Sequence, residues 1–150
     1  MYKDLPIHGK ERMKFYTIGY CGRNPQEFLD LLRQRGVKVV VDVRLRPDRA
    51  YWGCYAKAES QDKGIQKILA GCNIEYVSFV KLGNPFMDCD DWGERYQQLL
   101  EKDGDLLIEP LQSIPGPFCL LCAEKSPAEC HRFLIAGYLV SKGYEVEHIE

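Results

Sequence analysis

The chain has 150 residues, of which 45% are hydrophobic and 28% charged, with a formal net charge of -2 at pH 7. That length suits one ordinary domain whose core needs no covalent staple. The charge excludes a global basic field of the kind that drives non-specific nucleic-acid binding, so any anion site must be a local cluster. No apolar run approaches the roughly 20 residues that span a bilayer, so no membrane partner is expected.

Residues 1–14 are polar, lack the apolar stretch of a signal peptide and read as a flexible leader; residues 15–150 read as a single α/β domain. The seven cysteines, at 21, 54, 72, 89, 119, 122 and 130, do not have the spacing of a small secreted disulfide framework. They read as free thiols, and the expected compartment is the cytoplasm.

Phe15 to Gly19 is a short apolar run ending in glycine, the first expected strand. Asn24-Pro-Gln-Glu27 opens a helix, with Asn24 as cap, Pro25 at the first helical position and Gly36 as a left-handed stop. Lys38 to Val43 is a β-branched run without alternation, which predicts a strand covered on both faces. Arg44 to Ser60 reads as a long loop, of the kind that is usually functional or mobile. A helix over 61–72 and a third strand at Ile74–Val77 follow. The turn-rich segment Lys81–Pro85 leads through acidic residues to a helix over 92–102 and a shorter one over 105–113. Phe118–Cys122 is the fourth strand. Its period of two sends Cys119 and Cys122 to opposite faces, which argues against a redox CxxC pair. Ser126-Pro-Ala-Glu129 has the form of a capping box, predicting a helix that runs to Lys142 and stops at Gly143. Tyr144–Ile149 is the last strand. The alternation predicts a single three-layer α/β/α sandwich with a five-stranded, mostly parallel sheet, and the preferred order is 3-2-1-4-5.

In such a sheet the segments after the strands gather at one edge. They carry Arg23, Arg44, Arg46, Lys125 and Arg132, and helices start nearby at Asn24 and Ser126. Arginine forks and helix N-termini both suit an anion, so these five residues are the expected anion-binding set and phosphate the favoured group. Cys122 and Cys130 compete as nucleophiles, and His131 and Glu124 are the candidates for proton transfer. A metal site from Cys21, Cys122, Cys130 and His131 has suitable donor types, but neighbours 130 and 131 on a helix point in different directions, so no metal is expected. Tyr51, Trp52 and Tyr55 interleave with Arg46, Arg49 and Lys57, a pattern that can stack nucleobases or simply pack a loop.

Four stretches carry a resemblance: Thr17-Ile-Gly-Tyr-Cys-Gly-Arg23, Val40-Val-Asp-Val-Arg44 with Arg46-Pro47, Leu82-Gly-Asn84, and Leu121-Cys-Ala-Glu-Lys-Ser-Pro-Ala-Glu-Cys-His-Arg132. Together they resemble the family called domain of unknown function 488, from Tyr16 to Ile149. The resemblance implies an α/β fold and a marked segment at Cys122, Glu124, Lys125, Cys130, His131 and Arg132, and it supplies no reaction. Cys21 stands where the family often has a second glycine. A looser similarity, at the level of architecture, is to the rhodanese and protein-tyrosine-phosphatase folds.

Three readings follow. One is an enzyme acting on a nucleotide, a phosphorylated small molecule or a nucleic-acid end. The second is a non-catalytic module that binds a nucleotide or nucleic acid in the same crevice. The third is a protein-interaction domain docking through the aromatic loop. A cysteine facing the crevice within reach of His131 or Glu124 favours the enzyme; thiols all sunk in the core favour the binder. Whether the chain is an enzyme, and which cofactor it uses, the residues leave open.

Overall fold

The computed structural model of the protein describes residues 13–150. The expected leader therefore lies outside the described residues except for Met13 and Lys14. Five strands, β1 (Lys14–Gly19), β2 (Val39–Asp42), β3 (Glu75–Ser78), β4 (Phe118–Cys122) and β5 (Glu145–Ile149), alternate with four α-helices, α1 (Pro25–Gln34), α2 (Gly64–Ala70), α3 (Trp92–Ile108) and α4 (Arg132–Ser141). Every strand pair is parallel.

All residues of β2 and β4 are buried, as their unbroken apolar runs require of strands covered on both sides. Phe118, Leu120 and Cys122 share a face with Val39 and Val41 and pack under Tyr96 and Leu100 of α3 and Ile135 and Leu139 of α4. Cys119 and Leu121 face the other way, with Val40 and Ile18, under Phe28 and Leu32 of α1 and Ile65 and Leu69 of α2. The two thiols of the CxxC thus lie in different cores, as the strand period predicts.

The sheet order is β3-β2-β4-β1-β5, not 3-2-1-4-5. The two most apolar strands, β2 and β4, sit side by side in the middle. The edge falls to β5, which carries Glu145, Glu147 and His148 in a partly exposed pattern. Handedness fixes the side of each crossover but not how many strands it passes, so burial decided the order.

Local signals held unevenly. Asn24 caps α1, its Oδ1 accepting from the Glu27 N–H at 2.8 Å. Gly36 takes φ 66° and Gly143 φ 106°, the left-handed stops expected of them. The two helices expected over 92–102 and 105–113 are one continuous α3 running into a 3-10 turn at Glu109–Ser113. Gly104 does not break it, because its role is close approach: a Cβ there would lie 2.4 Å from the Tyr138 ring on α4. The helix expected from Ser126 is also corrected. Pro127–Glu129 forms a 3-10 turn, Cys130 is extended (φ -136°, ψ 144°), and α4 starts only at Arg132.

Candidate functional site

β1 and β4 are neighbours, but α1 leaves β1 for one face of the sheet and α4 leaves β4 for the other. Chain segments diverging in this way leave a crevice beyond the strand ends. A cavity of about 470 Å³ lies there. The end of β4 and the segment after it contribute Cys122, Glu124, Cys130 and His131. The loop after β2 contributes Arg44, Arg46, Arg49 and Tyr51, and the segment after β3 contributes Asn84, Met87 and Trp92.

His131 is pinned at one ring nitrogen. Its Nε2 lies 2.8 Å from the Val43 carbonyl oxygen. A carbonyl only accepts, so Nε2 carries the proton and, in the neutral ring, Nδ1 presents a lone pair. That lone pair faces two sulfurs, Cys130 Sγ at 3.8 Å and Cys122 Sγ at 4.0 Å. The ring edge packs on Tyr96, with centroids 5.2 Å apart. Cys130 Sγ also accepts from the Arg132 N–H at 3.5 Å. The thiols are driven apart electrostatically. The hydrogen bond that Cys122 donates to Cys130, with that of the Arg132 N–H, holds the Cys130 thiol well below its usual range despite burial. The bond to Cys130, then burial, push Cys122 well above it. Burial, then the charge of Cys130, raise Glu124.

Cys130 and His131 are not neighbours inside a helix, where their side chains would diverge. Cys130 is extended and His131 precedes the first full turn, so Cys122 Sγ, Cys130 Sγ and His131 Nδ1 all lie within 4.8 Å of one another. Cys21 is not among them.

Arg44 is the best-fixed cation. Asp42, fully buried, accepts from Arg44 Nε at 2.9 Å, from Nη2 at 2.7 Å and from the Arg44 main-chain N–H at 3.1 Å. Nη2 donates also to the Tyr55 carbonyl at 2.8 Å. Burial works against the charge, but the hydrogen bonds and charge of Asp42 outweigh it and raise the Arg44 pKa. Arg44 is 5% exposed, and its Nη1 is the single buried side-chain nitrogen or oxygen without a partner among the described residues. Such orphans are uncommon in folded proteins and call for an explanation.

The other predicted cations separate into two kinds. Arg46 is exposed and lines the cavity; so does Arg49, which the charge-cluster argument passed over although its place three residues on, after Pro47, gave the signal. Arg23 and Arg132 are buried and lie outside the cavity lining. Arg23 donates to the main-chain oxygens of Gly19, Ile149 and Glu150. Arg132 donates through Nη1 to the Glu124 carbonyl at 2.6 Å, through Nη2 to the Lys125 carbonyl at 3.2 Å, and through Nε to Thr17 Oγ1 at 3.1 Å. Each holds a strand end to its neighbours. Lys125 is exposed and does not line the cavity. Of the aromatic loop, Tyr51 is 82% exposed and lines the cavity, whereas Tyr55 is buried against Tyr20 and Phe28. Trp92 and Asn84 were not singled out as ligand contacts, although Asn84 follows β3 at the edge where the segments after the strands gather.

The Arg132 network continues to His148. Thr17 Oγ1 accepts from Arg132 Nε at 3.1 Å and lies within hydrogen-bond distance, 2.7 Å, of His148 Nδ1. Burial, and then the charge of Arg132, lower the His148 pKa below its ordinary 6.5. The unfolded chain therefore binds this proton first, and His148 contributes stability that is present above pH 6.5 and lost as the pH falls below it. Histidine NMR should show the His148 ring titrating with a midpoint below 6.5; a midpoint at or above 6.5 would contradict the network.

The fold and cavity define a parallel α/β domain with a crevice where its helices part. The family model described as Domain of unknown function DUF488 matches residues 24–139, and the chain belongs to that family. No curated protein and no solved structure matches it, so the looser likeness to rhodanese and phosphatase architectures gains no support from them. No helix among the described residues is long and apolar enough to cross a membrane.

Proposed function

We propose that the cavity binds a phosphate-bearing small molecule, a nucleotide above all, and that the chain is an enzyme acting on it. The observation that carries the reading is Arg44 Nη1, a charged donor held in place by Asp42 and left without an acceptor in a residue that lines the cavity. A bound phosphate oxygen is the acceptor that suits a guanidinium fork, with Arg46 and Arg49 completing the charge. Tyr51 and Trp92 offer flat faces for a base, and about 470 Å³ is in the size range of small-molecule pockets. Enzyme rather than binder is favoured because Cys122 and Cys130 both line the cavity, with His131 Nδ1 at 4.0 and 3.8 Å. Cys122, Glu124, Cys130 and His131 are then the catalytic set. Residues 15–150 act as one domain, in the cytoplasm, where thiols stay reduced.

Thermal unfolding with inorganic phosphate and a series of nucleoside monophosphates tests the binding half. A ligand at 100 times its Kd should stabilise the fold by about 2.7 kcal/mol. Arg46→Ala and Arg49→Ala remove exposed side chains and should leave the unliganded fold intact while each weakens binding roughly tenfold, about 1.4 kcal/mol. Absence of stabilisation by any of these anions, or stabilisation of both variants equal to that of the wild type, would refute the assignment.

A further inference from the structure

We propose that Cys122, Cys130 and His131 form a binding site for a zinc-class divalent cation, with one coordination position open to the cavity. The donors are two sulfurs and one imidazole nitrogen within 4.8 Å of one another. A tetrahedral zinc with its usual bond lengths sets sulfur and nitrogen donors about 3.6 Å apart. The observed separations from His131 Nδ1 are 3.8 and 4.0 Å, so shifts of a few tenths of an ångström bring each sulfur–nitrogen pair to that spacing.

Three features prepare the donors for a cation. The His131 Nε2–H is anchored on the Val43 carbonyl at 2.8 Å, which fixes the tautomer and aims Nδ1 at the sulfurs; metal-bound histidines are oriented in this way. The Arg132 N–H at 3.5 Å from Cys130 Sγ supports negative charge on that sulfur. Two thiolates and a neutral imidazole balance the charge of a divalent ion, and soft sulfur with imidazole selects zinc over magnesium or calcium. All three residues line the cavity. Three protein ligands and a position facing solvent make the pattern of a catalytic zinc, in which water fills the fourth place; a structural zinc is closed by four. The proposal goes beyond the anion reading and does not rest on it.

The test uses the full chain with its thiols reduced. Titrated with cobalt(II), it should show tetrahedral d–d bands in the visible and a thiolate-to-cobalt charge-transfer band in the near ultraviolet. Purified without chelator from zinc-supplemented culture, it should hold about one zinc per chain, as a single site requires. Cys122→Ser and Cys130→Ser should each weaken the charge-transfer band, and Cys21→Ser should leave it unchanged. X-ray absorption at the zinc edge of the wild-type chain should count two sulfurs and one imidazole, a reading that stands even where a serine variant fails to fold. A wild-type chain that takes up neither metal, or a zinc shell of four sulfurs or of oxygen and nitrogen alone, would overturn the site. Cobalt binding without phosphate binding would remove only the anion reading, and phosphate binding without cobalt only the metal site.

Discussion

Gly19→Ala should destabilise the protein by roughly 3 kcal/mol, the upper end for overpacking, and should abolish ligand binding in the cavity, both read from urea unfolding and phosphate titration. Gly19 closes β1, and its backbone has no positive φ; what it supplies is room. A Cβ there would lie 1.7 Å from the Glu124 carbonyl oxygen and 2.4 Å from its carbon. Main-chain atoms cannot turn aside as a flexible side chain can. β1 cannot retreat either, since Gly19 is paired in register with Cys122 and the next two N–H groups, of Tyr20 and Cys21, bind the Cys122 and Ala123 carbonyls at 3.2 and 3.0 Å. The segment after β4 must therefore move. It would carry away the carbonyl that accepts from Arg132 at 2.6 Å and, with it, the placement of Cys130 and His131. A variant as stable as the wild type would show that β1 and this segment are not locked together.

Asp42→Asn is expected to cost about 3–5 kcal/mol, the range for breaking a buried ion pair by removing one partner. Asp42 is fully buried and receives Arg44 on both oxygens as well as the Tyr76 hydroxyl. Asparagine keeps the shape, loses the charge and turns an amide NH₂ toward donors. Arg44 then keeps one amide oxygen and the Tyr55 carbonyl as acceptors, with its charge uncompensated. Removing both charges in Asp42→Asn with Arg44→Met should cost less than the sum of the single changes, and urea unfolding of the cycle reads that difference. Additive losses would mean that the pair is not one unit. The double variant should fold yet fail to bind phosphate, since Arg44 presents the unpartnered Nη1.

β1, β2 and β4 were legible because each is built on a short apolar run, and α1 because Asn24, Pro25 and Gly36 each act within a few residues. The strand order was not, since the choice between β1 and β4 as neighbour of β2 turns on burial summed over the whole sheet. The capping-box pattern at Ser126 misled for a related reason. Cys130 extends so that its sulfur reaches Cys122 and His131, and Arg132 is drawn inward to Thr17 and the Glu124 carbonyl, interactions that a local pattern does not encode. The crevice at the strand ends could be read from topology alone. Which arginines face a ligand could not, because a charge count does not distinguish a guanidinium spent on main-chain carbonyls, as at Arg23 and Arg132, from one with a donor to spare, as at Arg44. The convergence of Cys122, Cys130 and His131 was concealed by an assumed helix.

The most direct test of the crevice as the working site is amide chemical-shift mapping of the ¹⁵N-labelled chain titrated with a nucleoside monophosphate. The shifts should gather at Arg44–Tyr51, Asn84 and Cys122–His131. Shifts confined to the opposite edge of the sheet, around Lys38, Glu75 and Pro117, or no shifts at saturating ligand, would contradict it.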